Sequence, residues 1–218
     1  MKKKIGVVLS GCGVYDGSEI HEAVFTLLAI DRNGAEAVCM APDSELSEVN
    51  HLTGQETGAK RNILVESARI ARGKIRNIAE VTATELDAII FPGGFGAAKN
   101  LCNFASKGAE ASINPQVASL LRDMAASRKP IGAICIAPAL IAATLGKEYS
   151  PKVTIGNDSG TASAIRQTGS EHIDCPVTEF VVDTEHKIVS TPAYMLAQNI
   201  SDAATGIEKT VKAVLDLI

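Results

Sequence analysis

Short apolar runs alternate with amphipathic stretches along most of this chain. Residues 4–9, 88–91 and 130–134 are apolar runs, and each is short enough to be a buried strand. In residues 18–32 and 115–127, apolar residues recur instead every three or four positions, which is typical of a helix that packs on one side. Strands that alternate with helices in this way predict an α/β fold, in which a mostly parallel sheet is covered by helices on both faces.

Weaker patterns complete the predicted order of elements. Polar residues with interspersed glycines at 43–61 predict an irregular surface excursion. No repeat or linker interrupts the chain, so residues 1–218 are predicted to form one domain. The remaining predictions are strands at 35–40, 75–79 and 153–155, a strand pair at 178–183 and 187–191, and helices at 62–72, 137–145 and from about residue 200 to residue 218.

The ends and faces of the helices follow from the same patterns. Ser18 is a suitable N-cap for the first helix, Asn33-Gly34 is expected to stop it, and Gly146 is expected to end the helix that starts at Ala137. Two sets of residues have the spacing of one apolar helix face: Ile20, Val24, Leu27 and Leu28 in the first helix, and Ile200, Ile207, Val211, Val214 and Ile218 in the last.

Composition constrains the core and the class of partner. Hydrophobic residues make up 46% of the chain, but aromatic residues only 4% and tryptophan is absent, so the core must consist of aliphatic side chains. The formal net charge of -4 gives no electrostatic case for binding nucleic acid or an anionic membrane. We therefore expect a small-molecule substrate as the partner, with no nucleic acid and no membrane.

The cysteines indicate a reducing compartment. They are odd in number and no two are close in sequence, which favours free thiols over disulfides. No Cys-x-x-Cys pair or Cys/His cluster indicates a zinc site, so no metal is expected. The apolar stretch after Lys2–Lys4 is too short for a signal peptide, and a cytoplasmic location is therefore predicted. The five cysteines are Cys12, Cys39, Cys102, Cys135 and Cys175.

Cys135, which directly follows the apolar run 130–134, is the strongest candidate for chemistry. In an open parallel sheet, functional groups gather at the carboxyl ends of the strands. Pro138 suits the first turn of a helix, so Cys135 is expected at a sharp strand-to-helix turn. A helix N-terminus favours thiolate over thiol, and the N–H of Ile136 can stabilise charge on a substrate oxygen. We predict that Cys135 is a nucleophile rather than a core cysteine.

Paired glycines follow a second buried strand. Gly93 and Gly94 come directly after the run 88–91 and Pro92. Glycine lets the backbone approach a ligand closely, and a free N–H here can act as a second donor to the substrate oxygen. The same residues also suit a simple tight turn. We predict that Gly93 and Gly94 bind the substrate oxygen together with Ile136.

The loop after the first strand is also rich in glycine. Gly11, Gly13 and Gly17 nearly match a dinucleotide-binding fingerprint, but the acidic residue expected after the second strand is replaced by Ala41-Pro42-Asp43. A nucleotide cofactor is therefore disfavoured. The helix that follows can instead direct Glu22 towards the centre of the sheet, because its neighbours are largely apolar.

These three segments together resemble the PfpI-type branch of the class I glutamine amidotransferase-like superfamily, which includes the Parkinson-associated protein deglycases. The resemblance rests on Phe91–Gly94, on Ala133–Cys135 with Pro138-Ala139, and on Glu22. It implies a flavodoxin-like three-layer sandwich with a reactive cysteine at Cys135.

Four longer strings resemble one glyoxalase-like group within this branch, and the similarity covers essentially the whole chain. The group implies conversion of glyoxal to glycolate without a cofactor, which is a lyase activity, and a homodimer or larger homo-oligomer. It leaves open whether free dicarbonyls or early glycation adducts on proteins are the substrate. Its association with isoprenoid (lycopene) biosynthesis names no reaction. The strings are residues 10–22, 50–54, 93–101 and 191–200.

The histidines depart from the amidotransferase pattern. Amidotransferases pair the nucleophilic cysteine with a histidine, and related proteins often carry one near the strand after it, but residues 153–158 contain none. A complete Cys-His-acid triad, and with it glutamine hydrolysis, is therefore disfavoured. The four histidines present, for which a surface or structural role is expected, are His21, His51, His172 and His186.

The predicted mechanism uses the residues that are present. Cys135 adds to an aldehyde of glyoxal, and N–H groups near Gly94 and Ile136 stabilise the oxygen of the adduct. Glu22 then moves a proton through an enediol-like species. An ionised Glu22 would oppose thiolate formation, so we expect Glu22 to be protonated at rest and to donate a hydrogen bond to the sulfur.

Three other functions use the same sequence features. A redox sensor or chaperone-like protein would use Cys135 only as an oxidation switch, because accessible thiolates oxidise readily. A glutamine amidotransferase subunit would need the missing histidine. A nucleotide-binding module would use the glycine-rich loop after the first strand.

Overall fold

A seven-stranded, mostly parallel sheet forms the centre of the computed structural model, which describes residues 2–218. The order of its strands is β10-β11-β7-β6-β1-β2-β5, and every neighbouring pair is parallel except β10 and β11. Two smaller sheets pair β3 with β4 and β8 with β9. The strands are β1 Lys4–Val8, β2 Glu36–Ala41, β3 Glu45–Asn50, β4 Gln55–Asn62, β5 Arg76–Asn77, β6 Ala88–Phe91, β7 Ile131–Ile134, β8 Lys152–Val153, β9 Glu171–His172, β10 Val181–Asp183 and β11 Ile188–Thr191.

Helices cover both faces of this sheet. Helices α1, α2 and α8 pack on one face, and α3 to α7 supply the core on the other. The three-layer α/β architecture predicted from the sequence is confirmed. No helix within residues 2–218 is both long enough and apolar enough to cross a membrane. The helices are α1 Ile20–Arg32, α2 Ile63–Ile70, α3 Phe95–Lys99, α4 Phe104–Lys107, α5 Pro115–Ala126, α6 Ala137–Tyr149, α7 Ser159–Gln167 and α8 Ile200–Asp216.

The central strands are buried on both faces, which explains their continuous apolar sequences. In β6, Ile89 and Phe91 contribute to the core beneath α5 and α6, whereas Ala88 and Ile90 contribute to the core beneath α1 and α8. Each strand therefore feeds two cores through alternate side chains. The end of such a strand is fixed in position from both sides.

The segment predicted as irregular is a β-hairpin, so that prediction is wrong. Strands β3 and β4 pair antiparallel, with a shift of register between Ser47 and Val49. The carboxylate of Asp16 accepts a hydrogen bond from Val49 N–H and ties the hairpin to the loop after β1. Nearly all of β4 is exposed. Because neither face of β4 is buried, its sequence lacks the alternation that would have indicated a strand.

Two helix ends differ from the prediction. The N-cap of α1 is Glu19 rather than Ser18, because the Ser18 hydroxyl is buried and accepts a hydrogen bond from Ser10 N–H. Helix α6 passes through Gly146, ends at Tyr149 and is capped by Ser150, which has a left-handed conformation. Gly146 is needed for close packing, since a Cβ there would collide with the carbonyl oxygen of Thr168.

Apolar spacing identified α1 and α8 correctly but misplaced parts of their buried faces. In α1, Ala23 and Ile30 are buried against α8, while Val24 is 45% exposed. In α8, Ile207 lies in the core but Ile200 is 49% exposed. Small residues such as Ala23 allow the two helices to approach closely. The predicted strands at 75–79 and 153–155 are shorter than expected, as β5 and β8 show.

His172 in β9 is a buried histidine with a structural role. Its Nε2 accepts a hydrogen bond of 3.2 Å from Ile155 N–H, so the ring is neutral and carries its proton on Nδ1. Nδ1 lies 3.5 Å from the Asp174 carboxylate but has no hydrogen-bond partner. Burial lowers the pKa of His172 from 6.5 and the positive charge of Arg166 adds to this effect, which Asp174 opposes.

We predict that His172 makes the fold sensitive to acid. The unfolded chain takes up a proton below about pH 6.5 that the folded ring resists, so stability is lost as the pH falls through this range. His172→Gln keeps a side-chain acceptor and does not titrate. The loss of melting temperature between about pH 7.5 and about pH 5 should be smaller in this variant than in wild type. His21→Gln, at a half-exposed histidine, is the control, and an equal loss in all three proteins would contradict the prediction.

Candidate active site

Cys135 occupies a strained turn between β7 and α6. Its φ is +62°, a left-handed conformation that is uncommon for any residue other than glycine. The turn is held because Cys135 N–H donates a hydrogen bond of 2.9 Å to Thr191 O. Helix α6 begins two residues later, with Pro138 in its first turn. The strand-to-helix turn predicted from the sequence is therefore present, and strain of this kind is typical of functional sites.

The paired glycines lie directly beside Cys135. Gly93 N–H donates a hydrogen bond of 3.0 Å to Glu22 Oε2, so it is engaged by Glu22 and not free for a substrate oxygen as the sequence predicted. A Cβ on Gly93 would lie 2.5 Å from Cys135 Cβ and 2.6 Å from Glu22 Oε2, so only glycine fits at this position. Gly94 has a φ of +92°, and its N–H points towards the Cys135 sulfur. The N–H of Ile136 also lies against that sulfur.

Glu22 comes from the first turn of α1, yet its side chain is completely buried. Its carboxyl group accepts backbone N–H donors from two distant loops, Gly93 at one oxygen and Tyr194 at the other, the latter at 3.2 Å. Cys135 lies beside this carboxyl group, because a Cβ on Gly93 would touch both Glu22 Oε2 and Cys135 Cβ. The structure thus brings together the predicted site residues Cys135, Glu22, Gly93, Gly94 and Ile136.

The pKa of Glu22 is raised to about 8, mainly by burial and to a smaller extent by the negative charge of Glu19. Hydrogen bonds from Tyr194 and Gly93, together with the neighbouring Cys135, act in the opposite direction and are outweighed. Glu22 is therefore mostly protonated at neutral pH, in agreement with the expectation from the sequence.

The Cys135 side chain is not the thiolate that the sequence predicted. Burial raises the pKa of Cys135 well above 9, and the charge of Glu22 adds to this effect. The N–H groups of Gly94 and Ile136 lower the pKa, as a helix N-terminus should, but they do not outweigh burial. Cys135 is only 8% exposed and rests as a thiol. The sequence indicated the stabilising N–H groups but could not reveal the extent of burial.

The histidines do not complete a triad with Cys135. His21 Nδ1 is 2.8 Å from the Tyr194 hydroxyl, at the surface next to the site. His51 and His186 bind local loop groups, namely Tyr15 N–H and the Asp183 carboxylate. His172 does lie beside the stretch that lacks a histidine, but its ring is engaged by Ile155.

Neither Cys12 nor Cys102 is among the groups that shift the pKa of Cys135 or Glu22. Cys12 lines a separate cavity of about 90 Å³ with Asp16 and His51. The Cys102 thiol is buried and donates to Ala97 O. Within residues 2–218, no group of three or more His, Cys, Asp or Glu side chains is arranged to hold a metal ion.

Two residues that sequence reasoning did not assign to the site contact Glu22. Glu19 Oε2 accepts a hydrogen bond of 2.7 Å from Glu22 N–H, and Tyr194 N–H donates to Glu22 Oε1. Glu19 could have been found, because it lies three residues before Glu22 at the start of a helix. Tyr194 acts through its backbone, so its side chain gave no signal.

The crowding around Gly93 makes a testable prediction. In Gly93→Ala the new methyl group would overlap Cys135 and Glu22, and the free energy of unfolding should fall by about 1–3 kcal/mol. Gly160→Ala is the matched control, because the nearest atom to its new Cβ is 3.6 Å away and α7 tolerates alanine. Denaturant unfolding of both variants measures the difference, and equal stabilities would show that the site is not tightly packed.

Comparison with known proteins places this geometry in a family. The sequence profile of the DJ-1/PfpI family matches residues 12–190. The ES1 protein homolog, mitochondrial, of Rattus norvegicus is 43% identical over 99% of this chain and 84% of its own length. The Homo sapiens glutamine amidotransferase-like class 1 domain-containing protein 3, mitochondrial, is 44% identical over 98% of this chain and 83% of its own length.

A solved structure is similar along the whole chain. It is the isoprenoid biosynthesis protein with amidotransferase-like domain from Ehrlichia chaffeensis, which is 38% identical. The match covers 99% of both chains with a TM-score of 0.94. These similarities agree with the geometry of the site, in which Cys135 lies beside Gly93 and the buried Glu22. The chain belongs to the DJ-1/PfpI family.

Proposed function

We propose that this protein converts glyoxal to glycolate without a cofactor, through a covalent adduct on Cys135. The observation that carries the proposal is the buried pair of Cys135 and Glu22, with the N–H groups of Gly94 and Ile136 directed at the same sulfur. This arrangement supplies a nucleophile, a proton carrier and two donors for a developing oxyanion.

The sequence supports the same choice of reaction. The strings at residues 10–22, 50–54, 93–101 and 191–200 resemble ElbB, a glyoxalase also called enhancing lycopene biosynthesis protein. The Ehrlichia chaffeensis relative is described as an isoprenoid biosynthesis protein. We extend that association to this chain as part of the proposal, with glyoxal or a related dicarbonyl as the substrate.

The first step begins when the pair loses one proton. Ionised Glu22 accepts the proton of the Cys135 thiol as the sulfur attacks one aldehyde carbon of glyoxal. A C–S bond forms, and the carbonyl π electrons move to the oxygen, which receives hydrogen bonds from Gly94 and Ile136. Protonation of this oxygen gives a hemithioacetal.

The second step is an internal transfer of hydrogen. Glu22 in its ionised form removes the proton from the carbon that bears sulfur, which gives an enediol, and returns a proton to the neighbouring carbon. That carbon becomes CH₂OH, and the first becomes the carbonyl of a thioester. Water then cleaves the C–S bond, releases glycolate and restores the thiol. One carbon is oxidised and the other reduced, so the reaction needs no external oxidant or reductant.

A redox sensor is the alternative use of the same cysteine. Oxidation of cysteine depends on thiolate character and exposure. Cys135 is 8% exposed and burial raises its pKa, so both properties disfavour a rapid sensor. These observations favour the enzyme, in which substrate binding and Glu22 generate the nucleophile when it is needed.

We also propose that the protein acts as a homodimer or larger homo-oligomer in the cytoplasm. Ile20, Val24 and Leu28 are each more than a third exposed and lie on one stripe of α1. An apolar stripe of this kind supports contact between subunits. Location and assembly size are otherwise predictions from the sequence.

We predict that Cys135→Ser abolishes conversion of glyoxal to glycolate. Serine keeps the size of the side chain, but its hydroxyl is far less acidic and is a weak nucleophile without a base matched to it. Glycolate should form at the rate seen without protein. Cys12→Ser, at a cysteine outside the site, is the matched control and should retain the wild-type rate. Equal rates in wild type and Cys135→Ser would remove Cys135 as the nucleophile, whereas stoichiometric oxidation of Cys135 without turnover would favour the sensor.

A second prediction concerns Glu22 and pH. Because the pair must lose a proton before sulfur attacks, the wild-type rate should rise as the pH increases through about 8. Glu22→Gln keeps a hydrogen-bonding side chain but cannot carry the proton, so the rate should fall by about 10²-fold or more. The remaining activity should rise only at higher pH, where the buried thiol itself ionises. Full turnover by Glu22→Gln would show that another group moves the proton.

A further inference from the structure

Glu19 places a second carboxylate against Glu22. The Glu19 side chain caps α1, and its Oε2 accepts a hydrogen bond of 2.7 Å from the backbone N–H of Glu22. Only 13% of the Glu19 side chain is exposed, so solvent screens its charge weakly. The Glu19 carboxylate therefore lies at the backbone of Glu22, in a poorly solvated part of the site.

Glu19 is also fixed to the glycine loop of the site. Its backbone N–H donates a hydrogen bond of 2.9 Å to Gly93 O. The N–H of Gly93 in turn binds Glu22 Oε2. A Cβ on Gly94 would collide with Glu19 N, which shows how closely the two segments pack. The backbone of Glu19 is therefore fixed against the site, and its capping hydrogen bond holds the carboxylate at the backbone of Glu22.

We propose that Glu19 is a positioning residue whose negative charge keeps a proton on Glu22, so that Glu22 can serve as the proton carrier of Cys135. The inference rests on the proposed function of the Cys135–Glu22 pair. Like charges held close together in a buried site favour the neutral form of one of them. Glu22 is the more buried of the two and is the one that takes the proton.

The other titratable groups around Glu22 are few. Cys135 lies against its carboxyl group, and Tyr194 approaches from the turn after β11. From α1 itself, His21 Nδ1 is 3.9 Å from Glu19 Oε1, so a protonated His21 would partly offset the charge of Glu19. The glycine loop contributes only backbone N–H groups. Glu19 is thus the one fixed negative charge among these groups that acts on Glu22 without also taking part in the proposed chemistry.

The effect on catalysis depends on how the Cys135–Glu22 pair shares its protons. At rest the pair holds two protons, and after it loses one, a single proton remains. That proton lies either on Glu22, which leaves a thiolate, or on Cys135, which leaves a carboxylate. Glu19 favours the first arrangement because it repels a charge on Glu22. If the pKa of Glu22 falls by about one unit, the fraction of the pair that carries a thiolate falls by about tenfold. This holds as long as the thiolate is the minor form.

Glu19→Gln tests the inference, because the amide keeps an oxygen that can cap α1 and removes only the charge. With ¹³C-labelled glutamate, NMR follows the carboxyl signal of Glu22 against pH, and Glu22→Gln assigns that signal by its absence. The titration midpoint of Glu22 should fall by about one pH unit in Glu19→Gln. Glu36→Gln, at an exposed residue at the start of β2, is the control and should leave the midpoint unchanged.

The pH dependence of glycolate formation gives a second readout. In Glu19→Gln the rising limb should move to lower pH, and the plateau should fall by up to about tenfold. A purely structural role for Glu19 would lower the rate or the melting temperature without moving the midpoint. An unchanged Glu22 midpoint would overturn the inference even if Cys135→Ser had lost all activity. Failure of the proposed function would be seen separately, as wild-type protein that does not convert glyoxal.

Discussion

The hydrogen bonds of the buried Glu22 carboxyl group hold the candidate site together. One oxygen binds Gly93 N–H, the other binds Tyr194 N–H, and the group also reaches Cys135. These partners come from three separate loops at the carboxyl edge of the sheet. A buried polar group that loses such partners is costly, so these hydrogen bonds favour the observed arrangement of the loops. The same contacts keep the backbone of Gly93 and Gly94 next to Cys135.

Burial gives this site both its order and its acid–base properties. The low-dielectric surroundings that make the Glu22 hydrogen bonds valuable also disfavour charge on Glu22 and on Cys135. The resting site is therefore close to neutral, in contrast to an open cysteine site that stores a thiolate. In the proposed reaction the pair must first lose one proton, and the backbone N–H groups of Gly94 and Ile136 would stabilise the charge that results.

The sequence predicted correctly those parts of the site that depend on residues close together in the chain. The apolar run 131–134 and Pro138 placed Cys135 at a strand-to-helix turn, and the resemblance placed Glu22 beside it. The sequence could not predict the parts that depend on backbone contacts between residues far apart in the chain. The link from Tyr194 to Glu22 spans 172 residues and uses no side-chain atom of Tyr194. Strand β4 was missed because its side chains are exposed and only its backbone pairing defines it.

The left-handed backbone of Cys135 has a consequence for how such chains change over time. A residue other than glycine costs about 1–3 kcal/mol in such a sparsely populated conformation. The packing of the buried side chain and the hydrogen bond from Cys135 N–H to Thr191 O must offset this cost. Part of the stability of the fold is therefore used to hold one thiol in place, and a chain that kept only the architecture would have no need of a strained residue at this turn.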